Sequence, residues 1–447
     1  MIKIYDTMTR SLRDFVPLTE NVVNMYVCGP TVYNYIHIGN ARSAVAFDTI
    51  RRYFEYCGYT VNYISNFTDV DDKIIKAANE AGISTKELSD KFIAAFMEDT
   101  GQLGIKPATQ NPRVINYMDE IITFVSTLVD KGFAYVSEGD VYFRVAKSNN
   151  YAKLANKTLE DLEIGASGRT DAETERKENP LDFALWKAAK EGEVSWDSPW
   201  GPGRPGWHIE CSVMATEILG DTIDIHGGGV DLEFPHHTNE IAQSEAKTGK
   251  TFANYWMHNG FVNVDNEKMS KSLGNFVTVH DMLQTVDGQV LRFFLATQQY
   301  RKPINFTEKA IHDAEVNLKY LKNTHSLPLT DQVNQAELQT YLDAFQEAMD
   351  DDFNTANGVT VLFDMAKWIN SGNYDQTVKD AFEKMLQVFG IVFEEEVLDE
   401  DIEKLIEERQ AARANKDFAT ADRIRDELAA QGIKLLDTKE GVRWTRD

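Results

Sequence analysis

The sequence contains little cysteine, no long apolar run and too few basic residues to balance its acids. Three cysteines in 447 residues are too few for a disulfide framework, so we expect a reducing compartment with free thiols. The sequence has no run of about 18 apolar residues, so no membrane-spanning helix is predicted. The opening stretch MIKIYDTMTRSLRDF lacks the apolar core of a secretory signal. We therefore expect a cytoplasmic protein with no membrane partner.

Acidic side chains outnumber basic ones. The sequence has 71 Asp and Glu against 46 Lys and Arg, a formal net charge of −25. This charge argues against a general binder of polyanions, whose surface is usually basic, but a local nucleic-acid surface stays open because a total hides the distribution. With this length and 43% hydrophobic residues, we expect two to four domains with an ample core.

Strand and helix patterns alternate near the N-terminus. NMYVCGPTVY is typical of a strand that runs into a turn, and TVNYISNFTDVDD alternates like a second strand. Between them, apolar residues recur at helical spacing, and Gly58 is a suitable helix stop. The apolar positions are Ala46, Ile50, Tyr53, Phe54 and Cys57. The pattern predicts a right-handed βαβ unit of a parallel sheet, hence an α/β fold, with Cys57 in the core.

The remaining pattern divides the chain into domains. Prolines interrupt the stretch from about 115–200, which we interpret as an insertion in a first domain at 1–307, while TIDIHGGGVDLEF resembles a strand ending in a glycine turn. A nearly all-helical domain follows at 308–393. Residues 394–403 hold seven acids and no base, as in a solvated linker or an acidic helix start. The last domain, 404–447, has ten basic and nine acidic residues and is predicted to form a helix pair and a hairpin.

The HIGN segment, residues 37–40, lies between the first strand and the helix. A glycine-bearing turn before a helix N-terminus can bind an anion, because free N–H groups and the helix dipole point at it. His37 could donate a hydrogen bond to phosphate oxygens there. The alternative is that a four-residue match has arisen by chance.

The KMSKS loop, residues 268–272, carries two ammonium groups three residues apart. Lys268 and Lys271, with Ser272 and Gly274 nearby, suit a mobile loop that closes over a polyphosphate. The alternative is a solvated basic turn.

A third candidate site combines metal-ligand residue types. Pro235 suits the first turn of a helix, and His236 and Glu240 are then i and i+4 on one helix face. We place Cys28 and Cys211 at strand ends of one sheet. Two thiolates, one imidazole and one carboxylate make a tetrahedral zinc set. Burial in the core is the alternative for both cysteines, and the neighbouring His237 is expected in solvent or behind the ligands.

The motifs together resemble those of the class I aminoacyl-tRNA synthetases, and longer strings resemble the cysteine–tRNA ligases among them. The strings cover most of the chain, and the tail ANKDFATADRIRDEL adds to the resemblance. They are MYVCGPTVY, NFTDVDDKII, GRPGWHIECS, DIHGGGVDLEFPHHTNEIAQ, EKMSKSLGNF and MDDDFNTA.

This resemblance implies a fold and a reaction. The fold is a Rossmann-like parallel-sheet catalytic domain with an inserted subdomain, then a helical domain and a small C-terminal α+β anticodon-binding domain. The reaction activates L-cysteine with ATP and Mg²⁺ and transfers it to the 3′ end of tRNA(Cys), and we expect a monomer. One zinc ion would be held by Cys28, Cys211, His236 and Glu240 and would bind the substrate thiolate, as a fifth ligand or by loosening Glu240.

The resemblance also assigns residues to roles. The expected catalytic residues are His37, Asn40, Lys268 and Lys271. The expected ATP contacts are these four with Gly39, Gly227, Gly228 and Asp231, where the backbone of 227–229 approaches the nucleotide. The expected amino-acid pocket is Thr31, Trp207 and Asp231, and the expected tRNA contacts are Arg443, Trp444 and Arg446. Core packing is the alternative for Trp207, and attachment of the hairpin to the helix pair is the alternative for Trp444.

One position departs from the commonest form of the family's first motif. The fourth residue of HIGH is Asn40 here, which can donate a hydrogen bond to phosphate but carries no charge.

Two other functions fit parts of the sequence. A cysteine ligase that acts on an amino sugar would share the site but would have no use for residues 404–447. A non-catalytic paralogue that senses cysteine or binds tRNA would be expected to have lost Lys271 or a zinc ligand, and all are present.

Overall fold

The computed structural model describes residues 1–166, 174–394, 400–439 and 441–446. It divides into two compact units, Met1–Val392 and Phe393–Asp447, which are described separately. Among the described residues, no helix is both long enough and apolar enough to span a bilayer.

In the described parts of the chain, the strands are short and belong to five sheets. In chain order they are β1 Lys3–Asp6, β2 Ser11–Asp14, β3 Val22–Val27, β4 Thr60–Ser65, β5 Ala134–Ser137, β6 Asp140–Phe143, β7 Phe183–Ala188, β8 Gly203–Pro205, β9 Ile223–Gly229, β10 Ala253–Asn259, β11 Val262–Val264, β12 Glu267–Lys268, β13 Ile304–Phe306, β14 Ile433–Thr438 and β15 Gly441–Arg446.

Helix α1 lies between β3 and β4, α2–α9 lie between β4 and β13, and α10–α15 lie in the C-terminal third of the chain. They are α1 Ile38–Tyr56, α2 Asp72–Ala81, α3 Thr85–Gln102, α4 Met118–Asp130, α5 Leu159–Ala166, α6 Trp207–Leu219, α7 Thr238–Thr248, α8 Val279–Met282, α9 Gly288–Ala296, α10 Glu308–His325, α11 Gln335–Asp350, α12 Thr355–Asn370, α13 Gln376–Val388, α14 Glu400–Ala414 and α15 Phe418–Ala430.

A four-stranded parallel sheet in the order β10-β9-β3-β4 carries the site. Strands β3 and β4 pair in parallel and are joined by α1, which confirms the predicted βαβ unit and the α/β fold. In register, Met25 of β3 faces Tyr63 of β4 and Ile225 of β9. Because the strands are parallel, their carboxyl ends meet at one edge of the sheet, where residues that follow the strands converge.

The buried face of α1 matches the predicted apolar positions except at its end. Ala46, Ile50, Tyr53 and Phe54 are each at most 4% exposed. The prediction for Cys57 was wrong, because the helix ends at Tyr56 and Cys57 is its exposed C-cap.

The insertion between the sheet halves contains its own antiparallel sheet, in the order β5-β6-β7-β8. This sheet reaches Pro205, beyond the interrupted stretch expected at about 115–200. Residues 167–173 of that stretch lie outside the described residues. The buried side chains of the insertion and those of the central sheet form one continuous apolar cluster, so the insertion packs directly on the parallel sheet.

Four helices, α10–α13, follow the last strand of the first unit. They agree with the helical pattern predicted from 308 onward, and their apolar faces pack on one another through residues such as Phe345, Leu362 and Phe382.

The second unit is a helix pair, α14 and α15, followed by the β14–β15 hairpin, as the tail pattern predicts. Ile402, Ile424, Leu428 and Ile433 form its small core, and the half-buried Trp444 packs against them. Residues 395–399 of the predicted acidic linker lie outside the described residues.

Candidate active site

A cavity of about 620 Å³ opens at the carboxyl edge of the parallel sheet. Its wall contains residues from segments that are far apart in the sequence, including the ends of β3 and β9, the start of α1 and the KMSKS loop. The predicted site residues that line it are Cys28, Thr31, His37, Gly39, Asn40, Trp207, Asp231, Lys268 and Lys271. The fold therefore brings the nucleotide motifs and one end of the predicted metal set into one space.

His37 and Asn40 form a capping box at the start of α1. The backbone N–H of Asn40 donates to His37 Nδ1 at 3.2 Å, and the backbone N–H of His37 donates to Asn40 Oδ1 at 3.2 Å. Burial lowers the pKa of His37 below its ordinary value, Asp231 opposes that shift, and Lys271 and Lys73 reinforce it. Since Nδ1 accepts, the neutral ring carries its proton on Nε2 and can donate it into the cavity.

The KMSKS loop is attached to the HIGN segment by backbone hydrogen bonds on its C-terminal side. Ile38 donates to the carbonyl of Val277 at 3.1 Å, and Val279 donates to that of Ile36 at 2.9 Å. The ammonium of Lys271 lies 5.4 Å from the ring of Tyr33. Within the described part of the chain neither Lys268 nor Lys271 has a carboxylate partner, so both charges are available to an anionic ligand.

The glycine run of β9 is closely packed by its neighbours. Gly227 and Gly228 are packed inside the protein, because a Cβ on Gly227 would meet the ring of Phe47 at 2.4 Å and one on Gly228 would meet Leu232 at 2.8 Å. Gly229 lies in the cavity wall. The first two glycines therefore allow close packing between elements, and Gly229 brings its backbone to the cavity. The ATP contacts expected for 227–229 stay predictions.

The four predicted metal ligands meet at the base of the cavity. Their donor atoms all lie within 4.8 Å of one another. The two sulfurs of Cys28 and Cys211 are 3.6 Å apart, and Glu240 Oε1 lies 3.3 Å from Cys28 Sγ and 2.9 Å from His236 Nε2. Two thiolates bound to tetrahedral zinc at about 2.3 Å would lie about 3.8 Å apart, which agrees with the observed separation.

The pKa shifts of Cys211 and His236 also indicate a site that favours positive charge. Burial alone would raise the pKa of Cys211, but the thiol of Cys28 donates to it and His236 is near, and its pKa is lowered to about 6. Burial would lower the pKa of His236, whereas Glu240 and Cys211 raise it to about 10. His236 Nε2 is buried, and its contact with Glu240 Oε1 at 2.9 Å does not have the angles of a hydrogen bond, as fits a nitrogen placed to bind a metal.

A second set of donors shares two of these ligands. Cys28, His226, His237 and Glu240 also lie within 4.8 Å of one another. However, His226 Nε2 contacts the other carboxylate oxygen of Glu240, Oε2, at 2.5 Å, which leaves Oε1 for Cys28 and His236. Two thiolates also suit zinc better than one. The first set is therefore favoured, with His226 as a residue that orients Glu240.

His237 was expected either in solvent or behind the metal ligands. It does not lie in solvent, and its position behind the ligands agrees with the second alternative. It is fully buried, with Nε2 3.4 Å from Cys28 Sγ and Nδ1 2.8 Å from His258 Nε2. His258 Nδ1 in turn contacts Thr7 Oγ1 at 2.7 Å. These contacts fix the ring of His237 against the sulfur.

Two local structures near the metal ligands differ from the sequence interpretation. Cys211 lies in α6 and not at a strand end, because the run that begins at Trp207 forms a buried helix. The α-helix that carries Glu240 begins at Thr238, and His236 lies in the kinked turn Glu233–His237 that precedes it, where Phe234 has an extended backbone and a cis peptide precedes Pro235. The four-residue spacing still brings His236 and Glu240 together.

Trp207 forms a wall of the cavity above the metal ligands. Its ring stacks on that of His236 with centroids 4.0 Å apart, and the residue is 40% exposed. The core-packing alternative is therefore wrong for this residue.

The tail residues predicted to contact tRNA lie on β15. Trp444 packs on the small core of its unit, as in the alternative interpretation, and pairs across the hairpin with Leu435. Because side chains alternate along a strand, Arg443 lies on the opposite face, beside the 56% exposed Leu436. The side chain of Arg446 lies outside the described part of the structure. The tRNA contacts stay predictions.

Sequence reasoning missed His226, His258 and Lys73. Both histidines lie on β9 and β10 at the same edge of the sheet as the cavity. The sequence could have indicated them, because each histidine lies near the carboxyl end of a strand. Lys73 lines the cavity from α2, and only its place in NFTDVDDKII pointed to it.

The fold agrees with those of solved synthetases. The methionyl-tRNA synthetase of Mycobacterium tuberculosis, in complex with methionyl-adenylate, aligns with a TM-score of 0.60 at 15% identity, covering 82% of this chain and 89% of that one. The leucyl-tRNA synthetase of Agrobacterium radiobacter K84, in a ternary complex with tRNA, also aligns at 0.60, with 11% identity and 84% of each chain covered. The family model described as the class I (C) catalytic domain of tRNA synthetases matches residues 14–316. Fold and site thus define a class I aminoacyl-tRNA synthetase.

Further matches narrow the class. The DALR domain model matches residues 344–394, and the model for the anticodon-binding domain of cysteinyl-tRNA ligases matches 395–444. The cysteine–tRNA ligase of Streptococcus thermophilus is 95% identical and that of Streptococcus pyogenes serotype M6 is 83% identical, each over 447 residues and the whole of both chains. The chain belongs to the cysteine–tRNA ligase family. Its reaction is the ATP-dependent attachment of cysteine to tRNA(Cys).

Proposed function

We propose that Cys28, Cys211, His236 and Glu240 hold a zinc ion that selects cysteine by its thiolate. The observation that supports this is the convergence of the four donor atoms within 4.8 Å of one another, at the base of the cavity that also contains the nucleotide motifs. When bound, zinc supplies a Lewis acid that prefers a thiolate to the harder, less acidic hydroxyl of serine.

Selection of this kind explains how cysteine is separated from serine, which has nearly the same shape. A difference of one methylene in an apolar pocket is worth only about 1–3 kcal/mol. A discrimination of about 10⁴ requires roughly 5.5 kcal/mol, at 1.36 kcal/mol per decade. A metal at the base of the pocket provides a chemical difference where a steric one is too small, so no editing step is required.

The nucleotide motifs would act on the phosphates of ATP, which is expected to bind with Mg²⁺. The carboxylate of cysteine attacks the α-phosphorus, so the protein needs no nucleophile. His37 donates from Nε2, and the amide NH₂ of Asn40 can donate because its Oδ1 already accepts from His37. Lys268 and Lys271 stabilise the charge that develops on the leaving pyrophosphate.

The amino-acid pocket would lie between the metal ligands and the nucleotide. Thr31 follows β3 and lines the cavity, and Trp207 closes the side above His236. Asp231 lies between Gly229 and the HIGN segment and can accept from the substrate ammonium or from a ribose hydroxyl.

The two units would divide the reaction in a cytoplasmic, monomeric enzyme. Residues 1–307 form adenylate, the helices of 308–393 support them, and 404–447 read the anticodon. The acidic stretch 394–403 that precedes them runs into α14, which begins at Glu400. On the hairpin, the face that carries Arg443 and Leu436 is better placed for RNA than the packed ring of Trp444. The alternative function, a cysteine ligase that acts on an amino sugar, gains no support. Such an enzyme would have no use for residues 404–447, which fold within a compact unit of their own.

Metal analysis of two cysteine variants tests the ligand assignment. Cys211→Ser should lose zinc and cysteine binding together, because it removes a buried ligand. Cys57→Ser is the matched control, since Cys57 is exposed at the end of α1. Equal zinc content in both purified variants would refute the four-ligand assignment.

A further inference from the structure

The cavity contains a cation outside the two motifs, Lys73 on α2. It is the second residue of that helix, it is exposed, and it lies in the cavity wall with His37, Lys268 and Lys271. Its ammonium lies 5.5 Å from the ring of Tyr33, and that of Lys271 lies 5.4 Å from the same ring. The two ammonium groups therefore contact the same aromatic ring, and an anion bound beside Tyr33 would be attracted by both.

The acids nearest to Lys73 in sequence do not neutralise it. Asp71 caps α2 by accepting from the backbone N–H of Lys73 at 2.8 Å. Asp72 pairs with Arg204 and lies 3.8 Å from Lys187. In the part of the chain that the structure describes, Lys73 has no carboxylate within ion-pair distance.

Few other charged side chains of the cavity wall could neutralise Lys73 or replace it as a ligand for an anion. Lys106 also lines the cavity but pairs with Glu55. Asp231 is the one acidic side chain among the lining residues, and it faces His37. Lys73, Lys268 and Lys271 have no ion-pair partner among the described residues, which is a local exception in a protein with a net charge of −25.

We propose that Lys73 is a third phosphate-binding residue of the site, which acts with Lys271 across the ring of Tyr33. The assignment rests on the proposed function, because it needs phosphates in this cavity. The phosphates can belong to ATP or to the 3′ end of tRNA, and the shared ring with Lys271 favours the pyrophosphate of ATP. Lys73 is exposed and its charge is partly screened, so we expect an effect at or below that of a buried donor.

Two variants separate charge from shape. Lys73→Met removes the charge at similar length, and Lys73→Arg keeps it. Lys76→Ala is the matched control, because Lys76 lies on the same helix, pairs loosely with Glu80 at 3.9 Å and is not in the cavity wall. Equal thermal unfolding midpoints establish that all three variants are folded.

The assays are cysteine-dependent ATP–pyrophosphate exchange and single-turnover transfer of cysteine from preformed adenylate to tRNA. We expect Lys73→Met to lower exchange by about 10–100-fold with a raised KM for pyrophosphate, Lys73→Arg to recover most of it, and transfer to stay normal. A defect confined to transfer, again repaired by Arg, would also show phosphate binding but assign it to tRNA.

The assignment is overturned if Lys73→Met and Lys73→Arg behave alike in both assays, whether both match Lys76→Ala or both are equally impaired. Exchange by the wild-type protein with cysteine tests the proposed function separately in the same experiment.

Discussion

His37 and Asn40 show how a single pair of side chains prepares the site before a ligand binds. Each side chain accepts from the backbone of the other, so the first turn of α1 is closed and the imidazole is held in one orientation. The same bonds decide which atoms stay free, namely His37 Nε2 and the NH₂ of Asn40. An uncharged residue at this fourth position thus still closes the first turn of α1 with His37.

Lys271 provides the clearest prediction at the scale of one residue. Lys271→Ala should leave cysteine binding nearly intact and lower the rate of adenylate formation by about 10²–10³, or ~2.7–4 kcal/mol, because its charge acts on phosphates mainly in the transition state. Pyrophosphate exchange measures the rate, and equilibrium binding of cysteine is the control. Exchange at the wild-type rate would mean that the KMSKS loop is not catalytic.

At the scale of elements, a buried ion pair joins α1 to α9 and to the end of α13. Arg292 and Asp48 are at most 2% exposed, with Nη1 2.6 Å from Oδ2, and Arg292 Nε donates to the carbonyl of Phe389 at 2.9 Å. Gly390 is required there, because it has a φ of +74° and a Cβ would meet the guanidinium at 2.3 Å. The pair therefore fixes the helix that begins with HIGN against the helical domain.

Breaking this pair should destabilise the first unit. Asp48→Asn leaves a buried guanidinium unpaired, so we expect a loss of about 3–5 kcal/mol in the free energy of unfolding at pH 7. Asp313→Asn, in an exposed pair with Lys309, is the control and should cost under about 0.5 kcal/mol. Urea unfolding measures both, and equal losses would contradict the role given to the buried pair.

The same pair has a defined pH dependence. Burial would raise the pKa of Asp48, but Arg292 and Arg52 lower it below its ordinary value of 3.8. A lowered folded-state pKa stabilises the fold above the unfolded value and loses that effect as the pH falls through the folded value. The difference between wild type and Asp48→Asn should therefore be full at neutral pH and shrink below pH 3.8.

The elements that the sequence predicts well are those with a clear period and clear ends. The helix after HIGN, the two flanking strands and the helices of 308–392 all show such patterns. Cys211 was misplaced because WHIECSVMATEIL is buried almost all round, and such a run has no face that separates helix from strand. His226 contacts Glu240 and His258 contacts His237 because of the strand order β10-β9-β3-β4, which local periodicity does not contain.

At the scale of the whole molecule, two compact units share an acidic chain that must still bind RNA. The net charge of −25 opposes long-range attraction of tRNA, so binding depends on local surfaces. The near-neutral balance of residues 404–447 makes the second unit the best candidate for such a surface.

Removing the second unit should separate the two steps of the reaction. A chain that ends at Glu394 keeps the first unit and its core, so it should form cysteinyl-adenylate at close to the wild-type rate. It should charge tRNA(Cys) with most of its efficiency lost, through weaker tRNA binding. Both activities can be measured on one preparation, and undiminished charging would show that the anticodon is read elsewhere.

Selection of cysteine by a metal is the central claim, and ATP–pyrophosphate exchange with cysteine and with serine tests it most directly. With zinc present, we expect exchange with cysteine to be at least about 10⁴-fold more efficient than with serine. A chelator should abolish the cysteine-dependent exchange, and added zinc should restore it. A metal-free enzyme that still prefers cysteine over serine by the same factor would contradict the account.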